Sequence, residues 1–175
     1  MRSVGSKLLS ALLLTVLTAW PVERAQGAGV LSLSVLVHDL IERSDRVVIG
    51  EVVDTWTEAG PSGFQTVAMV LIGETLAGFR SPAVEVRVPG GRIDGLLQHV
   101  IGTVDLEEGD ELLLFLAGDR ITGIAEGVFY LDGPRATRNQ VALWELGVNR
   151  VERGDWSVPD LRQAITHMQG VIISR

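Results

Sequence analysis

The stretch RVVIGEVVDTWTEAGPSGFQTVAMVLIGETL, Arg46–Leu76, decides the fold of this chain. Its first part is dense in β-branched residues, Glu58–Gly63 supplies Gly and Pro, and a second β-rich run follows from Phe64. Two such runs on either side of a turn are typical of a β-hairpin. We therefore expect a long antiparallel hairpin over this stretch.

Further strand patterns follow downstream. Val84, Val86 and Val88 alternate with charged residues, which predicts a strand with one buried face. Leu112–Leu116 is apolar on both faces and predicts a central strand, and Ile121–Leu131 predicts a last strand or pair of strands. Residues 92–109 fit either an irregular crossover or a short helix, which would be lined by Leu96, Leu97, Val100 and Ile101.

The apolar pattern also predicts two helices that flank the strands. After Ser32, a possible cap, apolar residues recur at the spacing of one helix face, at Leu33, Leu36, Val37, Leu40 and Ile41. Asp39 and Arg43 are four residues apart on the opposite face and are expected to pair. A second helix is predicted over residues 157–169, with Ser157 and Asp160 at its start and Gly170 as its stop. Residues 133–156 predict a partly packed connection.

The first residues have the pattern of an export signal. Arg2 and Lys7 precede an apolar run, Leu8–Trp20, and a small-residue cleavage pattern ends at Gly27. The run is shorter than the roughly 20 residues that span a bilayer. We expect cleavage after Gly27, a single domain over residues 28–175, a periplasmic or secreted location, and no stable membrane insertion.

Composition excludes several functional classes. The chain has 175 residues and a formal net charge of −7, and a negative surface repels nucleic acid and anionic lipid. It has no cysteine, which removes a thiol nucleophile, a Cys-ligated zinc and a lipid-modified cysteine. We expect no nucleic-acid partner and no cofactor.

No residue pattern predicts a catalytic, cofactor or metal site. His38, His99 and His167 are far apart in the sequence and lack the spacing of a helical zinc pair. Surface positions are favoured for His38 and His167, whereas His99, between Asp94 and Asp105, is the one histidine to test for proton transfer.

Two further groups of residues have a structural and a functional interpretation. The first is acidic and lacks the spacing of a calcium loop, so a solvated turn is favoured over weak calcium binding; its members are Asp105, Glu107, Glu108, Asp110 and Glu111. The second is aromatic, and core positions are favoured over a contact surface; its members are Trp56, Trp144 and Trp156.

Three segments resemble the netrin-type (NTR) module, the family that includes the tissue inhibitors of metalloproteinases. They are Ser44–Val52, Val70–Gly78 and Leu106–Leu113, and the likeness covers roughly residues 33–131. The chain is also similar to an uncharacterised group of exported bacterial proteins, through Val86–Gly91, Val100–Gly102, Gly109–Leu116 and Gly127–Leu131.

The resemblance implies a mostly β fold with flanking helices (α+β), namely an OB-like or NTR-like five-stranded antiparallel β-barrel with an N-terminal and a C-terminal helix. Inhibitors of the NTR class chelate zinc through an N-terminal cysteine, which the expected mature start, Ala28-Gly29-Val30, lacks. That mechanism is not carried over.

We therefore expect an exported, monomeric, non-catalytic module that binds an unknown protein or glycan. Two alternatives stay open. One is a small extracellular hydrolase that uses acidic residues and His99, and the other is a structural component of the cell envelope.

Overall fold

A computed structural model describes residues 26–146 and 156–173. The helices are α1 (Gln26–Glu42), α2 (Gln140–Glu145) and α3 (Val158–Ile173). The strands are β1 (Arg46–Gly60), β2 (Gly63–Ala77), β3 (Ala83–Pro89), β4 (Gly91–Ile93), β5 (Leu96–Gln98), β6 (Glu111–Ala117), β7 (Arg120–Ile121), β8 (Val128–Asp132), β9 (Arg135–Thr137) and β10 (Trp156–Ser157). Most of the predicted export signal, residues 1–25, lies outside the described residues.

The long hairpin is confirmed. Strands β1 and β2 pair from Val47 opposite Ala77 to Gly60 opposite Gly63, with three register shifts in the first half of β1. The other edge of β1 pairs with β6, from Arg46 opposite Leu116 to Glu51. The first half of β1 therefore lies between β2 and β6, and its second half, after Glu51, pairs with β2 only.

Five strands form a closed ring in the order β1-β2-β3-β7-β6, since β6 pairs back with β1. The β3–β7 pair is parallel, through Arg87 and Arg120, and the other pairs of the ring are antiparallel. Strands β8, β9 and β10 extend the sheet from β6. The predicted mostly β fold with flanking helices is thus confirmed at this level.

The core has two apolar layers on the two faces of the ring strands. Side chains from β1, β2, β3 and β6 meet in one cluster and therefore point inward, among them Val48, Val70, Val86 and Leu114. The alternate residues of β1 and β6 point the other way and pack under α1 and α3, among them Val47, Leu113 and Phe115. This alternation explains why Leu112–Leu116 is apolar on both faces.

The α1 prediction is right in its packing and wrong in its start. Leu33, Val37 and Leu40 are buried, and Arg43 pairs with Asp39 at 2.6 Å. The helix begins at Gln26, so Ser32 lies inside it and does not cap it. Since residues 26–31 carry no proline, helical hydrogen bonding continues upstream of the apolar stripe. The expected cleavage point falls within the first turn of α1.

The start of α3 is confirmed, because the backbone N–H of Asp160 donates to Ser157 Oγ at 3.1 Å. Gly170 does not end the helix, which continues to Ile173. Gly170 is exposed, and a glycine inside a helix costs only about 1 kcal/mol relative to alanine. A single glycine without a following proline is therefore a weak stop.

The structure defines residues 92–109 and part of residues 133–156. Residues 92–109 form no helix; the described chain there makes a small hairpin, β4–β5, followed by turns and irregular backbone. The connection over residues 133–156 contains β9, α2 and the first residue of β10, and its residues 147–155 lie outside the description. Of the helices described, none combines the length and apolar character that a bilayer crossing requires.

Candidate functional site

Three apolar side chains on and just after the β4–β5 hairpin project into solvent, and we call Leu96, Leu97 and Ile101 the apolar tip. Their exposed fractions are 67%, 65% and 66%. The other exposed large apolar residues of the described chain are spread over different elements: Val35, Leu71, Phe79, Ile124 and Val141. Single exposed apolar residues are normal, and contiguous exposed patches mark interaction sites. Here three exposed apolar residues lie within six positions of one segment, which makes this segment the candidate contact surface.

The hairpin that carries the apolar tip has a defined turn. Asp94 and Gly95 both have positive φ, 49° and 82°, the backbone of a two-residue type I′ turn. Ile93 pairs with Leu96 directly across it. Since Asp-Gly is one of the preferred sequences for this turn, the local sequence fixes the geometry of the tip.

Hydrogen bonds attach this hairpin to the end of the β1–β2 hairpin. The backbone N–H of Phe64 donates to Gln98 Oε1 at 2.7 Å, and the N–H of Gly90 donates to the carbonyl oxygen of Phe64 at 2.8 Å. Beyond the tip, Thr103 Oγ1 donates to the carbonyl oxygen of Pro89 at 3.0 Å. The tip is therefore held at both ends by the sheet.

Gly91 lets β4 approach the β1–β2 hairpin closely. Its φ is +137°, and a Cβ there would lie 2.6 Å from Thr57 Cγ2 and 2.7 Å from Thr66 Oγ1. Only a residue without a side chain fits at this contact. The placement of the tip thus depends on a glycine that is distant from it in the hairpin.

A second candidate site is a cleft of about 430 Å³ between the sheet and the start of α3. Glu51 on β1 and Glu111 on β6 are direct cross-strand partners and both line it. Two like charges opposite each other destabilise a sheet. Arg162 also lines the cleft, but its guanidinium pairs with Glu74 at 2.6 Å. Neither Glu51 nor Glu111 has an ion-pair partner within the described ranges.

The histidines do not join this cleft. His99 is exposed just after β5, close in sequence to the apolar tip, and is absent from the cleft lining. His38 Nε2 lies 3.3 Å from Glu42 within α1, and His167 is exposed on α3. Within residues 26–146 and 156–173, no three metal-ligating side chains come together.

The acidic segment before β6 forms the turn that the sequence predicts. Gly109 has a φ of +93°, and Asp110 Oδ2 accepts the backbone N–H of Glu107 at 2.8 Å. Asp105, Glu107 and Glu108 are exposed. The carboxylate of Asp110 thus accepts a hydrogen bond within the turn, whereas Glu111 lines the cleft.

The tryptophans differ from one another. Trp156 packs against the outer apolar layer, as predicted. Trp56 is half-buried, and its indole N–H donates to Glu58 Oε1 at 2.8 Å. This bond, together with Arg87, lowers the pKa of Glu58. The side chain of Trp144 lies outside the description.

Sequence reasoning missed the apolar tip because it treated Leu96 and Leu97 as residues that could line a helix. The Asp-Gly pair after Ile93 was the pattern that would have indicated a hairpin. Comparison of the chain with protein-family models, curated proteins and solved structures gave no match. The functional proposal therefore rests on the chain's own geometry.

Proposed function

We propose that this protein is an exported, non-catalytic module that binds a partner protein through the apolar tip. The observation that carries the proposal is the exposure of Leu96, Leu97 and Ile101 on one loop that is held at both ends. A pre-organised apolar loop loses little conformational freedom on binding. Burial of its apolar side chains in a partner's pocket is favourable, because it removes apolar surface from water.

The topology supports an OB-like or NTR-like barrel as the class of the ring. In the ring order β1-β2-β3-β7-β6, strand β3 lies next to β7, and these two strands are the parallel pair. Counted along the chain, they are the third and fifth strands of the ring. OB-folds bind ligands through the loop between their first two strands and through nearby surfaces. The segment that carries the apolar tip is hydrogen-bonded to the corresponding hairpin end, through Gln98 and Phe64.

Charge and composition favour a protein over other partners. The formal net charge of −7 opposes nucleic acid and anionic membranes. Residues 93–101 contain no Phe, Tyr or Trp, so this loop offers a sugar no aromatic ring. Aliphatic side chains instead match an apolar pocket on a protein surface.

Export is part of the proposal and has its own test. The mature protein, recovered from the periplasm or medium of the native cells, should begin at Ala28 when its N-terminus is sequenced. Intact chains that retain residues 1–27 and stay in the cytoplasm would contradict export. A protein found mainly in insoluble envelope material would favour the structural-component alternative.

Paired substitutions test the tip directly. L96S/L97S should weaken binding to the native partner at least about tenfold, because apolar residues at the centre of an interface contribute most of its affinity. V35S alters an equally exposed apolar residue on α1 and should leave the affinity unchanged. Both variants should fold normally, since exposed substitutions change stability by about 0.5 kcal/mol or less. Equal affinities for L96S/L97S and V35S would overturn the proposal.

The hydrolase alternative keeps one supporting observation, the meeting of Glu51 and Glu111 in the cleft. Paired carboxylates are the machinery of many glycoside hydrolases. Because His99 does not line the cleft, the version that uses it loses its geometric support. Hydrolysis of glycans by the native protein, abolished in E51Q and E111Q but kept in H99A, would favour an enzyme over a binding module.

A further inference from the structure

Arg46 carries a buried positive charge that forms no direct ion pair with a carboxylate of the described residues, although the charge of Asp45 acts on it from nearby. The residue is 2% exposed. Its Nη2 donates to Ser81 Oγ at 2.8 Å, while its Nε is buried and has no hydrogen-bond partner. The adjacent carboxylate of Asp45 accepts the backbone N–H of Gly118 at 2.8 Å.

This arrangement leaves some N–H donors of the Arg46 guanidinium without a hydrogen-bond acceptor among the described residues. A guanidinium has five N–H donors and no acceptor, and among the described residues it has one hydrogen-bond acceptor, the hydroxyl oxygen of Ser81. Burying a charge is costly unless it is paired or fully hydrogen-bonded. Burial also lowers the pKa of Arg46, and the nearby charge of Asp45 offsets this effect only in part.

The aromatic ring of Phe79 lies over the guanidinium of Arg46. The guanidinium carbon lies 4.4 Å from the centre of the Phe79 ring. Phe79 is itself 65% exposed, on the loop between β2 and β3. Since this ring has solvent on its far side, it can turn away without disturbing the apolar core.

We propose that the guanidinium of Arg46 is a binding site for a carboxylate, which the ring of Phe79 covers in this structure. Ser81 positions the guanidinium, because its hydroxyl accepts from Arg46 Nη2 and donates to the carbonyl oxygen of Ala83 at 2.6 Å. The planar fork of a guanidinium matches the two oxygens of a carboxylate. One fixed positive charge on a protein of net charge −7 fits a monoanion better than a phosphate dianion. The site lies at the start of β1, whereas the apolar tip packs near its end, so the two proposals are independent.

The test follows the Arg46 Nε–H resonance by NMR while sodium acetate is added to the native protein. We expect a saturable shift of this resonance. In F79A, acetate should bind at least about fivefold more tightly, because the open form no longer has to be reached from the covered one. Sodium chloride at the same ionic strength should give no saturable shift, and sodium phosphate should bind more weakly than acetate.

Two variants complete the design. V35A removes an equally exposed apolar side chain elsewhere and should bind acetate as the native protein does. R46K keeps the charge without the fork and should lose the binding, measured by calorimetry. No saturable shift in either the native protein or F79A at about 100 mM acetate would overturn the proposal. Because the Arg46 resonance itself reports binding, this outcome does not depend on whether R46K folds.

Discussion

Gly50 marks a point where the backbones of β1 and β2 come unusually close. A Cβ at this position would clash with the carbonyl oxygen of Leu71 and lie 2.8 Å from Val70 Cγ1. We predict that G50A lowers the free energy of unfolding by about 1–3 kcal/mol, the usual cost of overpacking. Urea unfolding monitored by circular dichroism measures the change.

Gly73 provides the matched control for this prediction. A Cβ there would have the carbonyl oxygen of Ile49 as its nearest neighbour, at 3.9 Å. G73A should therefore change the free energy of unfolding by about 0.5 kcal/mol or less. An equal loss of stability in both variants would show that the close approach at Gly50 is not what limits substitution.

Tyr130 is the single tyrosine of the chain, so its ionisation can be followed alone. Burial, followed by the nearby charges of Asp110 and Asp105, raises its pKa, and its hydroxyl donates to the carbonyl oxygen of Asp105 at 2.7 Å. A raised pKa stabilises the folded state fully below the unfolded value of about 10. This stability is lost as the pH rises above that value toward the folded pKa.

Alkaline titration at 295 nm tests this statement. We predict that tyrosinate absorbance does not rise around pH 10 in the folded protein and appears only as the protein unfolds at higher pH. Y130F removes the absorbance change and also the hydrogen bond, at a cost of about 1 kcal/mol. A reversible titration centred near pH 10, with the fold intact, would contradict the raised pKa of this partly buried side chain.

Among the elements, α3 shows how a local sequence sets a boundary. Ser157 Oγ accepts the N–H of Asp160 at its start, and S157A should lower the free energy of unfolding by about 1 kcal/mol. Thr166 lies within the same helix, and its hydroxyl donates to the carbonyl oxygen of Arg162. T166A should have little effect, because such internal bonds do not stabilise a helix. Thermal unfolding compares the two; a larger loss in T166A would contradict the cap.

The elements that could be predicted are those whose own pattern has one solution. This group contains the hairpin of β1 and β2, strand β6, which is apolar on both faces, and the capped start of α3. The apolar residues of 92–109 have spacings that suit a helix as well as a loop, and only packing against Phe64 and Thr57 selects the β4–β5 hairpin. Local pattern carries no information about that contact.

The candidate sites were less predictable than the fold for the same reason. Glu51 and Glu111 face each other only because β1 pairs with β6, which is far along the chain. The burial of Arg46 depends on Phe79 and Ser81 from a different loop. Exposure of Leu96 and Leu97 is likewise a property of the folded molecule. Each site depends on contacts that no single segment contains.

At the scale of the whole molecule, the closed ring of five strands carries a different surface at each end of β1. Its inward face is filled with apolar side chains, and its outward face is covered by α1 and α3. Hydrogen bonds to Phe64 and Pro89 hold the segment that carries the apolar tip, while the side chains of the tip stay in solvent. Folding stability therefore comes from the ring and its apolar layers, whereas recognition is what we propose for the tip.

The most direct test of recognition by the tip is site-specific photo-crosslinking in the native cells. A photoreactive residue is placed at position 97 in one variant and at position 35 in another, two sites of similar exposure. The account predicts a discrete crosslinked protein from position 97 that is absent from position 35 and is lost when L96S is added. The same products from both positions, or none from position 97 while the variant is exported and folded, would contradict it.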